Sequence, residues 1–496
     1  MTVRALVERQ AAERPDAIYA LATETGVSLS FGELAASCRS VCAWLARQGL
    51  VPGATVSLVM PNGLGTLRLL LGAMWGGHCV NPVNLLAQGE QMRYTIAHSD
   101  CALVLVAPDW LDRVNAATEG LAVAVRVVDP DVLALDGPGD GPDAAAPPQT
   151  DDIALLMYTS GTTGLPKGVM LSHSNLVANA LSVSAEHGLT SKDRVLGVLP
   201  LYHINAFVVT MLAPLAHGGS VALAPKFSAA RFWDQAASSH CTWLNVVPTI
   251  VSYLLAGAVS NSTSVLKFCR SASAALPPEH LRGFEAKFSI GIVETMGLTE
   301  TAAPSFSNPL DPTRRKLGAV GQASGCEARV VDAALIELPD GSTGEIVIRG
   351  PQVMRGYYKN PQATADAFTP DGWLRSGDLG HRDSNGFFFV TGRIKELIIK
   401  GGENIAPREI DEALLRHPAV WDAAAVGVPD PHYGQEIMAC VVLRPGAVCS
   451  EDELRAFCSE RLGRYKTPHW LHFVADLPRG PSGKVQRLKL AGMFAV

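Results

Sequence analysis

The sequence lacks an excess of basic residues and any apolar run long enough to cross a membrane. It has 41 lysines and arginines against 47 acidic residues, a net charge of −6, and no basic stripe. Its longest apolar stretches, such as residues 206–216, are shorter than a membrane span. We therefore expect neither a nucleic-acid partner nor a transmembrane segment.

Paired cysteines and targeting signals are missing as well. The ten cysteines show no Cys-x-x-Cys spacing, which is typical of free thiols in a reducing compartment. The first ten residues have no signal-peptide core, and the final Met-Phe-Ala-Val is not a peroxisomal signal. These observations favour a cytoplasmic enzyme, and 496 residues leave room for more than one domain.

Short apolar runs alternate with amphipathic stretches along the first part of the chain. Residues 55–60 and 102–106 have the pattern of strands, and helices are predicted after them at 65–75 and 108–117. This order predicts an α/β fold, with parallel sheets covered by helices. Residues 136–148, rich in Gly, Pro and Asp, read as a surface loop.

The remaining chain predicts two smaller structures. Residues 344–350 and 387–391 have the pattern of a small β structure. Beyond Gly392-Arg393, about a hundred residues carry their own pattern of helices and strands, enough for a small domain. We predict a large N-terminal domain over residues 1–393 and a small α+β C-terminal domain over residues 394–496.

The most informative stretch runs from Tyr158 to His173, Tyr-Thr-Ser-Gly-Thr-Thr-Gly-Leu-Pro-Lys-Gly-Val-Met-Leu-Ser-His. It follows the apolar run 153–157, as a loop follows a buried strand. Glycines let the backbone approach a phosphate, hydroxyls and amides donate to its oxygens, and Lys167 adds positive charge. The spacing is not that of a Walker A loop. From residue chemistry alone, a solvated loop is the open alternative to a phosphate loop.

The stretch resembles the phosphate loop of the AMP-forming adenylating enzymes: acyl-CoA synthetases, luciferases and peptide-synthetase adenylation domains. The resemblance extends over essentially the whole chain. It implies a large N-terminal domain, a short hinge and a mobile C-terminal lid. ATP and Mg²⁺ would be bound, with Thr163 contributing to catalysis and to the metal site. The implied phosphate contacts are Thr159, Ser160, Gly161, Thr162, Thr163, Gly164 and Lys167.

A second motif, Met296-Gly-Leu-Thr-Glu300, resembles the family's metal-binding segment. The resemblance implies that Thr299 binds the α-phosphate and that Glu300 is a catalytic metal ligand. Met296 stands where the family usually has a tyrosine against adenine, and a thioether can still lie against a ring. Further implied nucleotide contacts are Ser273, Ala274, Ala275, Glu294, Thr295 and Gly297.

The resemblance gives the C-terminal region several roles. Asp378 would accept hydrogen bonds from the ribose hydroxyls, Arg393 would add a contact, and Lys395 would be the hinge. Lys484 would be the lid lysine that reaches the carboxylate and α-phosphate. Its Pro-x₄-Gly-Lys context also resembles an acetylation site, so a protein acetyltransferase is an expected partner. A homodimer is left open.

One loop favours CoA as the acceptor of the acyl group. Gly401-Gly402-Glu403 follows a predicted strand at 396–400 and resembles the loop that shapes the CoA tunnel in CoA ligases of this family. The resemblance therefore implies the thioester-forming branch, with CoA as co-substrate.

The acid pocket is assigned by resemblance to the oxalate–CoA ligase subgroup. Its implied residues are His203, which would act in catalysis, with Asn205, Val247, Arg270, Met296 and Gly297. Arg270 would bind an anionic second group on the acid, and pairing with a structural carboxylate is the open alternative. Asn205 stands where that subgroup is expected to have a second histidine.

The leading hypothesis is an ATP-dependent acid–CoA ligase that forms acyl-CoA, AMP and pyrophosphate through an acyl-adenylate. Its substrate would be a small carboxylic acid, including dianions such as oxalate, with fatty and aryl acids as alternatives. The second hypothesis keeps adenylation but transfers the acyl group to an amine or a carrier protein. The third is a non-catalytic nucleotide-binding relative, which the presence of Glu300, Asp378 and Lys484 disfavours.

Overall fold

The structure is a computed structural model, which describes residues 1–133, 135, 146–159, 165–257, 265–479 and 485–494. The chain divides into two compact units. The first comprises Met1–Leu317, Gly321–Glu327 and Ile348–Leu374, and the second Gly318–Val320, Ala328–Val347 and Arg375–Val496. Along the chain, the last passage from the first unit to the second lies between residues 374 and 375. The predicted domain boundary at 393/394 concerns the hinge of the expected lid, and it stays a prediction.

The strands of the described residues are, in chain order, β1 Ile18–Ala22, β2 Ser28–Ser30, β3 Thr55–Val59, β4 Cys79–Pro82, β5 Leu103–Val106, β6 Ala124–Val127, β7 Ile153–Thr159, β8 Lys167–Ser172, β9 Arg194–Gly197, β10 Ser220–Leu223, β11 Trp243–Val246, β12 Phe268–Ser271, β13 Ile292–Leu298, β14 Ala303–Ser307, β15 Gln322–Ala323, β16 Glu327–Val331, β17 Gly344–Arg349, β18 Gly356–Tyr357, β19 Leu374–Arg382, β20 Phe388–Arg393, β21 Ile398–Lys400, β22 Glu403–Ile405, β23 Val420–Asp430, β24 Gly434–Leu443 and β25 Trp470–Phe473.

The α-helices of the same residues are α1 Val3–Glu13, α2 Phe31–Arg47, α3 Leu64–Trp75, α4 Gly89–His98, α5 Leu111–Thr118, α6 His173–Glu186, α7 Ala213–His217, α8 Phe232–Ser238, α9 Pro248–Ala256, α10 Pro278–Phe288, α11 Pro361–Asp366, α12 Pro407–Leu415, α13 Glu451–Leu462 and α14 Arg487–Met493. A π-helix spans Asn205–Leu212. Short 3₁₀ turns are Pro108–Trp110, Thr299–Thr301, Pro312–Arg314, Ile394–Glu396 and Arg464–Lys466.

Two sheets form the frame of the first unit. One has the strand order β15-β14-β13-β12-β11-β9-β10-β1-β2, and the other β18-β8-β7-β4-β3-β5-β6. Most neighbouring strands are parallel, as the alternation of strands and helices predicts. Strand β5, Leu-Val-Leu-Val, is buried at every position, which is typical of a parallel strand covered on both faces.

Local signals explain how the covering helices begin and where they lie. Ser30 caps α2 by accepting from the amide of Glu33, whose carboxylate in turn accepts from the amide of Ser30. Helix α3 is apolar around most of its circumference and is almost wholly buried, against α2 among others.

Strands β16, β17, β19 and β20 form a four-stranded sheet that lies mostly in the second unit. Another sheet of this unit has the order β22-β21-β24-β23, with β25 beside β24. Alternate side chains of β23 and β24 enter separate apolar clusters on its two faces, because side chains of a strand point to opposite faces. Helices α12 and α13 contribute buried side chains to one cluster, and α14 contributes to the other.

The structure confirms the α/β class, with a large N-terminal domain of several sheets and a smaller C-terminal domain. It corrects two local predictions. The helix predicted over 108–117 begins as a 3₁₀ turn and becomes α-helical only at Leu111. The strand predicted over 396–400 begins at Ile398, after a 3₁₀ turn that ends at Glu396. Within the described residues, no helix is both long and apolar enough to cross a membrane.

Candidate active site

The predicted phosphate loop joins β7 to β8, which pair antiparallel from Ile153 to Thr159. At the open end of this hairpin Thr159 pairs with Lys167, so the two lie where the loop starts and ends. The ammonium of Lys167 lies 4.5 Å from the ring centroid of Tyr357. The predicted contacts at 160–164, including Thr163, lie outside the described residues.

Glu300 lies in the 3₁₀ turn that follows β13 and is half-buried. The hydroxyl of Tyr357 donates to its Oε1 at 2.8 Å, and its backbone oxygen accepts from the amide of Met354 at 2.8 Å. Thr299 is the first residue of the same turn. A carboxylate held in this way is chemically suited to Mg²⁺, which prefers oxygen ligands.

The further predicted nucleotide contacts lie on β13 and just after the adjacent strand β12. Glu294, Thr295, Met296 and Gly297 belong to β13, which pairs with β12 on one side and β14 on the other. A side chain at Gly297 would place its Cβ 2.0 Å from the backbone oxygen of Ala303, so only glycine fits there. Ser273, followed by Ala274 and Ala275, comes just after β12 and has a positive φ of 76°.

The two predicted ribose contacts lie opposite each other in the second unit. Asp378 in β19 pairs in register with Arg393 in β20, and Nε of Arg393 lies 2.8 Å from Oδ1 of Asp378. Asp378 is buried, and its amide donates to the hydroxyl of Ser376 at 3.0 Å. The carboxylate of Asp378 is thus held by an arginine on the neighbouring strand.

The predicted CoA loop is the turn of a tight hairpin between β21 and β22. Gly401 and Gly402 have φ values of 55° and 87°, as a two-residue turn of this kind requires. Beside it, the buried Lys400 forms a 2.6 Å ion pair with Glu436. The predicted hinge residue Lys395 is exposed in the preceding 3₁₀ turn, Glu403 begins β22, and Lys484 lies outside the described residues.

Arg270 is the buried cation of the predicted acid pocket. It lies in β12 with 1% of its surface exposed, and its Nη1 donates to Oδ1 of Asn205 and of Asn245, each at 2.7 Å. Among the described residues no carboxylate pairs with it. Its Nε and the Nδ2 of Asn205 are buried donors without a hydrogen-bond partner there. Pairing with a structural carboxylate therefore has no support in this part of the chain.

Burial controls the charges around this arginine. It lowers the pKa of Arg270 to about 9, so the guanidinium is still charged at neutral pH. Burial, and then the charge of Arg270, lower the pKa of His187 to about 3, so that ring stays neutral. Within the described residues the pocket presents a positive charge without a counter-ion, together with unused donors. Such a group is costly to bury alone and is stabilised by an anion.

Three other predicted acid-pocket residues, His203, Asn205 and Val247, lie at or next to the ends of structural elements. Asn205 is the first residue of the π-helix, a rare form that is frequent at functional sites. His203 lies just before it, with its ring 4.8 Å from that of Tyr202. Val247 precedes α9 and follows β11, the strand that carries Asn245.

The sequence interpretation did not include Asn245 and Tyr357. A signal existed for Asn245, because it is a polar residue inside an otherwise apolar run that predicts a buried strand. Tyr357 had no comparable signal, since its contacts with Glu300 and Lys167 depend on how β18 pairs with β8.

A further polar cluster lies in the second unit, where His417 Nε2 is 4.0 Å from Sγ of Cys449 and 3.5 Å from Oε1 of Glu453. The amide of Ala419 donates to Nδ1 of His417 at 3.3 Å, so in the neutral ring Nε2 carries the proton. In this tautomer Nε2 of His417 is a donor toward Cys449 and Glu453.

Comparisons with known proteins agree with this geometry. The family described as AMP-binding enzyme matches residues 7–358, and its C-terminal domain matches residues 409–484. A sulfoacetate–CoA ligase of Cupriavidus necator is 58% identical over 99% of this chain and 97% of that protein. An oxalate–CoA ligase of Arabidopsis thaliana is 34% identical over 90% of this chain and 89% of that protein. The crystal structure of ATP-bound MatB from Rhodopseudomonas palustris has a TM-score of 0.93 at 31% identity, covering 99% of both chains.

The chain therefore belongs to the family of AMP-binding enzymes. Within that family it is an AMP-forming acid–CoA ligase, which uses ATP, Mg²⁺ and CoA. The predicted family and activity are confirmed, while the roles of individual residues stay predictions.

Proposed function

We propose that this ligase activates a small carboxylic acid that carries a second anionic group, and that sulfoacetate is its substrate. The observation that carries the proposal is Arg270, a buried guanidinium without a carboxylate partner among the described residues. Two buried donors without partners, Nε of Arg270 and Nδ2 of Asn205, are available to the same anion.

The chemistry of a sulfonate suits this position. It stays ionised across the physiological pH range, so a buried arginine can hold it by charge-assisted hydrogen bonds. A neutral-tailed acid would leave the guanidinium without a counter-ion, and Nε of Arg270 and Nδ2 of Asn205 without an acceptor. The similarity to a sulfoacetate–CoA ligase supports sulfoacetate, and the similarity to an oxalate–CoA ligase makes oxalate the second candidate.

The remaining roles follow from the chemistry of the groups. Bound Mg²⁺ would offset phosphate charge, and Glu300 is the carboxylate proposed to hold it. Asp378 and Arg393 would position the ribose, and Lys167 would bind phosphate oxygens that leave as pyrophosphate. Lys484 would approach the carboxylate for adenylation and withdraw before CoA enters beside Gly401 and Gly402, with Lys395 as the hinge.

The test is pyrophosphate release across an acid panel of sulfoacetate, oxalate, malonate, propionate, hexanoate and benzoate. Wild-type enzyme should prefer the small dianions, with sulfoacetate first. In Arg270→Gln, which removes the charge, that preference should fall while activity on propionate persists. Preference for a neutral-tailed acid in the wild type would contradict the proposal, and oxalate in first place would replace sulfoacetate within it.

Three further properties belong to this proposal. The enzyme would act in the cytoplasm, consistent with ten free cysteines, nine of them buried. The oligomeric state is either a monomer or a homodimer, and light scattering of the purified protein distinguishes the two. Acetylation of Lys484 would remove its charge and stop adenylation. Mass spectrometry with an assay of the acetylated protein tests this, and full activity of that protein would contradict it.

A further inference from the structure

Tyr357 connects the two parts of the ATP site that carry charge. Its hydroxyl donates to Oε1 of Glu300 at 2.8 Å, and its ring lies beneath the ammonium of Lys167, 4.5 Å from the ring centroid. One half-buried side chain thus contacts both the carboxylate assigned to the metal ion and the cation assigned to the phosphates.

The backbone fixes this tyrosine from several directions. Strand β18 pairs with β8 so that Tyr357 lies opposite Val169, and its amide donates to the hydroxyl of Thr364 at 2.9 Å. The neighbouring Met354 donates its amide to the backbone oxygen of Glu300 at 2.8 Å. The segment therefore holds the turn that carries Glu300 through the main chain as well as through the phenol.

The chemistry of the contact favours a fixed carboxylate. A tyrosine phenol carries its proton at neutral pH, so the hydroxyl of Tyr357 is the donor and the carboxylate of Glu300 the acceptor. A carboxylate has two oxygens, and this contact uses Oε1, so Oε2 is the oxygen that we assign to the metal ion. Groups that orient a metal ligand in this way govern metal affinity strongly.

We propose that Tyr357 is a positioning residue for adenylation: its hydroxyl orients Glu300 toward Mg²⁺, and its ring holds Lys167 for the phosphates. The face of an aromatic ring attracts an ammonium group, which fixes the long lysine side chain near its target. The inference rests on the proposed role of Glu300 as metal ligand and does not depend on which acid is activated.

The test separates the two contacts by measuring ATP binding without acid or CoA. Calorimetry gives the dissociation constant of ATP with saturating Mg²⁺ and again with EDTA. Tyr357→Phe keeps the ring and loses the hydroxyl, so we expect about a tenfold higher constant with Mg²⁺ and an unchanged one with EDTA. Tyr357→Leu also loses the ring, so we expect the constant with EDTA to rise about two- to fivefold.

The adjacent tyrosine supplies the matched control. The hydroxyl of Tyr358 donates to Asp100 at 2.8 Å, away from Glu300. Tyr358→Phe loses a similar bond one residue away and should leave both constants within about twofold of wild type. Melting temperatures of all variants identify any general loss of stability.

A double-mutant cycle with Glu300→Gln distinguishes failure of this inference from failure of the metal role. If Tyr357 acts through Glu300, adding Tyr357→Phe to Glu300→Gln should cause no further loss with Mg²⁺. If Glu300→Gln weakens Mg²⁺-dependent binding but Tyr357→Phe does not, the inference is wrong and the metal role stands. If Glu300→Gln has no effect, both are wrong. Equal effects of Tyr357→Phe with Mg²⁺ and with EDTA would also overturn the inference.

Discussion

Replacing Asn205 by aspartate should place a carboxylate beside Arg270 and close the proposed anion pocket with an ion pair. The new carboxylate would occupy the position of the amide, whose Oδ1 lies 2.7 Å from Nη1 of Arg270. Nδ2 of Asn205 has no hydrogen-bond partner among the described residues, so the exchange removes no bond seen in this part of the protein. Arg270 would then have a permanent counter-ion, and an acid with a second anionic group would be repelled.

The expected magnitude follows from the charge of Arg270. The fall of its pKa from 12.5 to about 9 corresponds to roughly 5 kcal/mol against the charged form in the folded protein. A hydrogen bond to a charged group contributes about 1.5–3 kcal/mol, so the two proposed bonds to the anion, from Nε of Arg270 and Nδ2 of Asn205, contribute about 3–6 kcal/mol together. At 1.36 kcal/mol per tenfold change in rate, their loss should lower kcat/KM for sulfoacetate by about 10²–10⁴-fold.

The assay compares kcat/KM for sulfoacetate and propionate in wild type and Asn205→Asp, together with melting temperatures. Propionate should change by less than about threefold, since its tail makes no ionic contact. The melting temperature should not fall, because the new charge pairs with a buried one. If the folded variant retains kcat/KM for sulfoacetate within about threefold of wild type, Arg270 is not the anion-binding group.

The same exchange elsewhere serves as a control. Asn179 is buried, and its Nδ2 donates to the backbone oxygens of Thr301 and Pro304 at 3.0 and 2.9 Å. Asn179→Asp breaks these bonds and should lower the melting temperature. It should leave the ratio of sulfoacetate to propionate activity unchanged, because Arg270 keeps its surroundings.

Three further predictions can be tested with standard assays. Because Arg270 loses its charge above a pKa of about 9, kcat/KM for sulfoacetate relative to propionate should fall about tenfold per pH unit above pH 9. Burying the charged arginine lowers the free energy of unfolding by its full amount below pH 9. This destabilisation should be relieved as the pH rises from about 9 toward 12.5, which alkaline denaturation curves can check. Lys484→Ala should slow pyrophosphate release by about 10²–10³-fold while sparing thioester formation from supplied acyl-adenylate, and equal loss of both steps would contradict the lid role. Gly297→Ala places a Cβ 2.0 Å from the oxygen of Ala303 and should lower the free energy of unfolding by about 1–3 kcal/mol, whereas Gly257→Ala, with no atom nearer than 3.6 Å, should cost less in the same denaturant titration.

The chain order of elements was largely predictable because local patterns determine it. The apolar residues of β5 predict a buried strand, and the adjacent Gly401 and Gly402 predict a tight turn, from residue type alone. The family motifs then indicated the reaction, since a phosphate loop and a metal-binding glutamate serve the same chemistry wherever they occur together.

The long-range contacts of Arg270 and Tyr357 were not predictable in the same way. Arg270 meets Asn205 and Asn245 from 65 and 25 positions away, and Tyr357 meets Glu300 across 57 positions. Such contacts depend on strand register and on the π-helix, which residue patterns do not specify. The sequence left two interpretations of Arg270 open, and only its surroundings in the fold favour the anion-binding one.

The most direct test of the central claim is a competition in one reaction. Equimolar sulfoacetate, oxalate, propionate and benzoate are supplied with ATP, Mg²⁺ and limiting CoA, and the CoA thioesters are quantified by mass spectrometry. We predict that sulfoacetyl-CoA exceeds propionyl-CoA and benzoyl-CoA by about 100-fold or more, the scale of the two hydrogen bonds proposed from Arg270 and Asn205 to the sulfonate. Predominance of propionyl-CoA or benzoyl-CoA would contradict the account.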